Sequence, residues 1–549
     1  MKKFAMLLAL ALLVFTMPLR AQDNEVLRVG IDQEPTSLNR YFTIQASAFM
    51  FIDLYLLPPW IVNDELQFAP LLVEELPVNV EGGVTQNEDG QTVVRYTLAD
   101  WAVWSDGTPV TAEDFIFPFE AANDGVSAFQ ATTFANIASV EAGESEKEVV
   151  VTFKSVNPDW FNAGFTPLPA HVLREPYNTA IAADLGLESL EWNRMPSVAN
   201  GPYVFAEWVP GSFMRFTRNE QFHEQPFFDE IVVNWYPDMN VLREVLANGE
   251  VDIAHNFQPS DVVEFIGNDA FVIDSKFNSG REAWWINLGE NGNPALQDVR
   301  VRRALVMALD RQVIVDELQE GLTSVPNGFW DSTPYQNPNI EPIMYNPEGA
   351  VALLNEAGWS DADGDGICEA SGVEGVEDGT PLTFTAGTTN APVRVDTLVI
   401  AQEMLRESCI DLQFEAFEPA VFAASFTDGG VLRSGNLDIL QFFGFTTYES
   451  ISATQWFACA NLPSADNPGG LNAIQRCWPE MDALWASLST TADQEARLQA
   501  AYEIQQFMAD EVFWIGMWDR PQLTVYRAEL QNVRPAGQAP YWQVAEWTR

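Results

Sequence analysis

Residues Trp284–Val315, WWINLGENGNPALQDVRVRRALVMALDRQVIV, decide how the chain is organised. The stretch begins in a short apolar run, Ala283 to Leu288, which is too brief for a helix and rich in Trp and Ile, so this run reads as a strand. A polar turn, Gly289 to Asn293, follows. Pro294 and Asp298 then supply helix-start chemistry, and Val301, Ala304, Leu305, Ala308 and Leu309 recur at the spacing of one buried helical face. A strand feeding an amphipathic helix is the repeating unit of an α/β fold.

Working outward, the same grammar recurs. Glu25 to Ile31 reads as a first strand running into the loop Asp32 to Asn39, and open α/β sheets take ligands at loops on the carboxyl ends of strands. Ala48 to Leu57 reads as a helical stretch and Val93 to Leu98 as a strand. Asp106-Gly107 makes a turn, and Thr111 with Asp114 gives a near capping box for a helix over Ala112–Ala122. A hairpin is expected over Tyr203–Trp208 and Phe213–Arg218, turning at Pro210-Gly211. Strands follow at Asp229–Tyr236 and Val251–Ala254, around a helix Asn240–Gly249 with an Asn cap. Further on, helices are expected at Pro347–Ala357 and Pro392–Ser408, a strand through Leu412, Phe414 and Ala416, a capping box Thr491–Gln494 for a helix through Asp510, and a buried strand Val512–Trp518.

The wording of these segments resembles the solute-binding proteins of peptide ABC importers, the oligopeptide- and dipeptide-binding family. The opening stretch is similar to that family's entry into its second lobe, and Trp104–Phe115, WSDGTPVTAEDF, to its W-S-D-G-x-P-x-T-A-x-D-F run. Pro167–Leu173, Asn200–Tyr203 and Gly249–Ala254 are similar to further family segments, in order. The resemblance implies an α/β, two-lobed periplasmic-binding-protein fold of type II, the large three-domain variant, with a hinge and an interlobe cleft. Lobe I would comprise residues 26–60, 195–277 and 510–549, an extra domain 61–194, and lobe II 278–509, with the hinge crossed at about Phe277 to Trp284. It also implies a ligand-binding set of Glu34, Phe129, Trp285, Asn287, Phe443, Phe445, Thr447, Tyr448 and Trp456. Asn39-Arg40 stands where the family has Asp-Pro. In Asp438–Tyr448, aligning Tyr448 with the family's tyrosine puts Thr447 at the aspartate that meets a peptide's amino group. A hydroxyl cannot replace that carboxylate, because charge-assisted hydrogen bonds are about twice as strong as neutral ones. The same run reads equally as a buried strand whose Phe residues fill the core. His171 reads as a packed structural histidine.

Composition narrows the function. Lys2 and Lys3 precede an apolar run, Phe4 to Phe15, and Ala21 offers a small residue for cleavage, which reads as a signal peptide over 1–21. Without a Cys at that site, a periplasmic or secreted protein is expected rather than a lipid-anchored one. The chain carries 28 basic and 78 acidic residues for a net charge of −50, a field that repels nucleic acid and anionic membranes. The expected partners are a small-molecule or peptide ligand and an ABC permease in the inner membrane, with the chain acting as a monomer.

Four cysteines, Cys368, Cys409, Cys459 and Cys477, permit two disulfides in three pairings. Pairing sequence neighbours, Cys368 with Cys409 and Cys459 with Cys477, is preferred. No cofactor is required. Asp361, Asp363 and Asp365 fit the first half of a calcium loop, but the twelfth position is Gly372, so an acidic surface turn is the simpler reading and calcium the alternative. G-x-S-x-G and H-E-x-x-H are absent and there are 3 His, so an enzyme is not expected. The alternatives are an exported hydrolase acting through paired carboxylates, or the same fold binding a sugar oligomer, metal chelate or haem.

Overall fold

One ten-stranded sheet runs through both halves of the molecule. The computed structural model describes residues 25–43, 45–129, 134–445, 450–491, 493–537 and 539–549. The sheet's strands are β1 (Val26–Ile31), β2 (Tyr203–Val209), β3 (Phe213–Arg218), β4 (Glu230–Trp235), β5 (Ile253–Phe257), β6 (Phe271–Ile286), β7 (Thr383–Thr389), β8 (Asp411–Phe417), β9 (Ile439–Phe445) and β10 (Trp514–Arg527). They lie in the order β8-β7-β9-β6-β10-β5-β1-β4-β3-β2. β1 is parallel to β4 and β5, and β7 is parallel to β8 and β9, so each lobe has a parallel α/β centre.

β6 and β10 join the two centres as an antiparallel pair. Phe271–Phe277 lies against Arg527–Pro521 and Arg281–Trp285 against Asp519–Trp514, with the register slipping between Phe277 and Arg281. Such a slip bends a strand and increases its twist. The first half packs Ile273, Leu523 and Val525 with Leu242, Leu246 and Phe265 of lobe I. The second half puts Ala283–Ile286, Ile515 and Met517 into the core of lobe II. Just past the slip, Arg281 donates from Nε to Asp519 Oδ1 at 2.6 Å and from its other nitrogens to the carbonyls of Phe329 and Asp331. Ser324 Oγ donates to the second Asp519 oxygen at 3.0 Å. Burial lowers the arginine pKa and raises that of the aspartate, and the attraction between them opposes both shifts.

The stretch that organises the chain folds as a strand, turn and helix. Asp298 caps the helix Val299–Met307 by accepting from Arg300 N at 2.8 Å, and Asp310 caps a second helix, Arg311–Leu318. Val301, Ala304, Leu305, Ala308 and Leu309 are all buried. β6 is longer than the apolar run Ala283 to Leu288 because its first half is the polar hinge ribbon. Elsewhere the caps shift. Asp238, not Asn240, caps Met239–Ala247, and Asp493 caps Gln494–Glu511 while Thr491 ends the helix before it. Ala48 to Leu57 forms two single turns, Ala46–Phe49 and Ile52–Tyr55, rather than one helix.

Segment 61–194 carries its own four-stranded sheet, Val84–Gln86, Thr92–Thr97, Glu148–Phe153 and Ile137–Ala142. Its Val94, Tyr96, Val149, Val151 and Phe153 share one continuous core with Leu27, Val29 and Ile31 of lobe I and with Tyr541 and Trp547 of the C-terminal tail. Cys368 bonds to Cys409 and Cys459 to Cys477, both in lobe II. Among the described residues no helix is long and apolar enough to cross a membrane. Residues 1–21, read as a signal peptide, lie outside the described residues.

Two buried groups of lobe I titrate in opposite senses. His255 on β5 sits between Thr524 Oγ1 at 2.9 Å and Tyr541 Oη at 2.7 Å, and burial lowers its pKa from the usual 6.5 to about 3. Its contribution to stability is whole above pH 6.5 and drains as pH falls toward 3. Asp53 is pushed up from 3.8 to about 7 by burial, against the pull of Arg40, so its contribution is whole below 3.8 and lost as pH rises through 7. A difference between variants therefore reads the imidazole where the bare profile would not. On going from pH 7 to pH 5, denaturant unfolding should show His255→Asn losing about 2 kcal/mol less than the parent. Equal losses would mean the imidazole is not held neutral.

Candidate functional site

The lobe II wall is built at the carboxyl ends of β7 and β9, where open α/β sheets take ligands. Glu282 of β6 lies opposite Phe443 of β9 and Trp518 of β10. The chain leaves β7 at Thr389 and enters the helix Pro392–Glu407, whose Pro at the first position leaves the first turn free to present Arg394. Arg394 grips Glu282 with two bonds, Nε to Oε2 at 3.0 Å and Nη2 to Oε1 at 2.8 Å, and Nη1 donates to Thr389 Oγ1 at 2.8 Å. Arg520 of β10 reaches the same carboxylate only at 4.0 Å. Both guanidiniums lie over the Phe443 ring, at 5.5 Å and 5.2 Å from its centroid. Two cations share one buried carboxylate, so the group is positive inside a strongly acidic chain. Arg394 is already engaged. Arg520, with 42% of its side chain exposed, has donors left for an anionic oxygen.

The lobe I wall is the loop after β1. Glu34 accepts from Trp208 Nε1 at 2.9 Å and from Gly211 N at 3.1 Å, tying the loop to the β2–β3 hairpin. Asn39 accepts from Tyr41 N at 3.1 Å and donates to Asn193 Oδ1 at 2.8 Å, so it caps the turn Arg40–Phe42. Beyond that turn, the Phe129 ring lies 5.3 Å from Tyr41 and 5.0 Å from Phe42, the half-buried edge of an aromatic group that includes Phe134.

Of the residues expected at the site, Glu34 stands on lobe I, Phe129 on the segment 61–194 packed against it, and Phe443 and Trp456 on lobe II. Trp285 is fully buried, stacked at 4.9 Å on Phe442 and 5.4 Å from Phe457, with Trp456 covering it at 5.3 Å. Asn287 is buried as well, donating to the carbonyls of Gly435 and Leu437 and accepting from Gly289 N. Both side chains are spent on lobe II itself. Phe445 ends β9 opposite Gly280, and Thr447 and Tyr448 lie outside the described residues. His171 is not packed in the interior: it pairs with Asp106 at 2.9 Å on the surface. Glu282, Arg394 and Arg520 were not singled out in the sequence. Their signal is the pairs Arg281-Glu282 and Asp519-Arg520 beside apolar strand residues, since a charge there must find a partner.

Asp361, Asp363, Asp365 and a residue not foreseen, Glu369, place carboxylate oxygens within 4.8 Å of one another. Each also accepts a backbone N–H from the same turn: Gly364 and Gly366 to Asp361, Asp365 to Asp363, Ile367 to Asp365, and Ala362 to Glu369. All-oxygen donors suit a hard cation such as calcium. The hydrogen bonds also account for the turn as an exposed acidic loop.

The sequence profile of the bacterial extracellular solute-binding proteins, family 5 (middle) matches residues 67–456, and the chain belongs to that family. Its members are substrate-binding proteins of ABC importers. The oligopeptide-binding protein AppA of Bacillus subtilis is 27% identical over 412 residues, 73% of this chain and 70% of that one. Among solved structures, NikZ of Campylobacter jejuni in complex with Ni(L-His) superposes with a TM-score of 0.65 at 21% identity, over 96% of this chain and 100% of that one. HbpA2 of Haemophilus parasuis does so with 0.74 at 18%, over 94% and 99%. At these identities the two structures show a shared fold.

The burial of Trp285 makes it a stability residue. Trp285→Ala should cost about 3–5 kcal/mol in denaturant unfolding, the range for truncating a buried aromatic. A cost near zero would place the ring in solvent and return it to the wall.

Proposed function

We propose that this chain is an exported receptor that captures a peptide or similar small solute bearing a carboxylate, closes its lobes on it by hinge motion, and presents it to an ABC permease. The observation that carries this reading is Arg520, a half-exposed guanidinium over an aromatic ring at the strand ends of lobe II, in a chain otherwise dominated by acid. A carboxylate is what the carboxyl end of a peptide and a metal chelate such as Ni(L-His) have in common, so both fit this wall. Thr447 at the position of the family's aspartate supports a solute whose amino group is not the anchor. The reading includes removal of residues 1–21 on export, and it involves no bond-making chemistry.

Mass spectrometry of the solute that co-purifies with protein from its native host tests the class directly, and a carboxylate-bearing molecule is expected. Calorimetry with that molecule should show Arg520→Gln weakening binding by about 10- to 100-fold, the loss of a hydrogen bond to a charged group. Peptides with acetylated amino ends should bind as well as free ones. A neutral sugar as the co-purified molecule, held equally by parent and Arg520→Gln, would overturn the proposal.

A further inference from the structure

Away from the hinge, the lobes are joined a second time by charge. Arg497 lies in the first turn of Gln494–Glu511, whose Ala500, Ala501 and Ile504 belong to the core of lobe II. Asp159 precedes the turn Trp160–Ala163 of segment 61–194, whose Trp160 and Ala163 belong to the core that this segment shares with lobe I. Arg497 donates from Nη2 to Asp159 Oδ1 at 2.6 Å and from Nη1 to the Pro158 carbonyl at 2.9 Å. The two side chains are 6% and 4% exposed.

Each end is positioned within its own lobe. Asp159 N donates to Asn157 Oδ1 at 3.0 Å, and Asn157 N donates to Thr92 Oγ1 at 2.9 Å. The Arg497 guanidinium lies 5.7 Å over the ring of Tyr335, and the Tyr335 carbonyl accepts from Gln505 Nε2 at 2.7 Å, on the helix that carries Arg497. Beside the pair a cavity of about 570 Å³ is walled by Phe68, Trp160 and Phe161 from lobe I and by Tyr335 and Leu498 from lobe II. No residue lining it is Asp or Glu, in a chain with 78 of them. Rotation of the lobes about β6 and β10 would part these walls and the ion pair together.

We propose that Arg497 and Asp159 form a latch that sets how much of the protein is closed before solute arrives. With the lobes apart, both charges are hydrated. With the lobes together, both are stripped of water, and their attraction and two hydrogen bonds offset that loss, so the net balance is small. Removing one partner takes away the attraction between the two charges while the other stays buried, which penalises only the closed form. Removing both restores the balance. The inference rests on capture by lobe closure, but it can be tested without any solute.

The test is small-angle X-ray scattering of the unliganded full chain, with parent, Asp159→Asn, Arg497→Gln and the double variant compared at matched thermal stability. Either single variant should lower the closed-to-open ratio by about 100-fold or more and increase the radius of gyration, and the double variant should return toward the parent. Arg497→Lys keeps the charge but cannot serve both Asp159 and the Pro158 carbonyl. It covers the case in which a neutralised single variant does not fold, and its scattering should lie between parent and open. Single variants, or Arg497→Lys, that scatter as the parent does would overturn the latch. Single variants that melt lower without any change in scattering would do so too, since the pair would then serve stability alone.

Discussion

Two opposite charges sealed inside the hinge hold the register on which everything else is laid. Arg281 and Asp519 lie on the only two strands of the described sheet that enter both lobes, and every donor or acceptor named around them ends on a partner. A buried pair of this kind is weak as a source of stability, because dehydration cancels much of the attraction. As a specification it is strong. A one-residue slip of β6 against β10 would leave a charge stranded among apolar side chains, and would move every neighbouring side chain to the wrong face.

The candidate wall around Glu282 follows from that register. Successive residues of a strand point to opposite faces, so Glu282 and Arg520, each next in sequence to a member of the sealed pair, project away from it. They meet Arg394 and Phe443 there. The same two strands therefore carry a closed charge pair on one side and an incompletely matched group on the other. The first fixes geometry. The second leaves the Arg520 guanidinium half-exposed, as the proposed capture of a carboxylate requires.

Much of the fold could be read from the sequence, because its signals are local. The helices after Asp298 and Pro392 announce themselves by cap and apolar spacing, and the wording of Trp104–Phe115 and Trp284–Val315 fixes the family. The hinge was half legible. The apolar end of β6 reads as a strand, whereas Phe271–Phe277 mixes Phe, Val and Ile with Asp, Ser and Lys, is mostly half-buried and carries no alternation to find. The site was harder still. In a central strand covered on both faces, an aromatic gives no sign of which side it serves, so Trp285 could be taken for wall when it is interior. Arg394 and Arg520 are 126 residues apart and meet only through Glu282. No window on the sequence holds all three.

The ten-stranded sheet is not equally wide everywhere. Among the described residues, β5 pairs with β10 only from Leu523 onward and β9 pairs with β6 only from Gly280, so between those limits the described sheet narrows to a ribbon of two strands. A two-stranded ribbon twists more readily than a broad sheet. In the proposed closure, motion between the halves would concentrate there, as a strip of paper folds where it has been cut thinnest. In that motion the main-chain ladder would stay intact, and what is made and unmade would be confined to side chains at the rims.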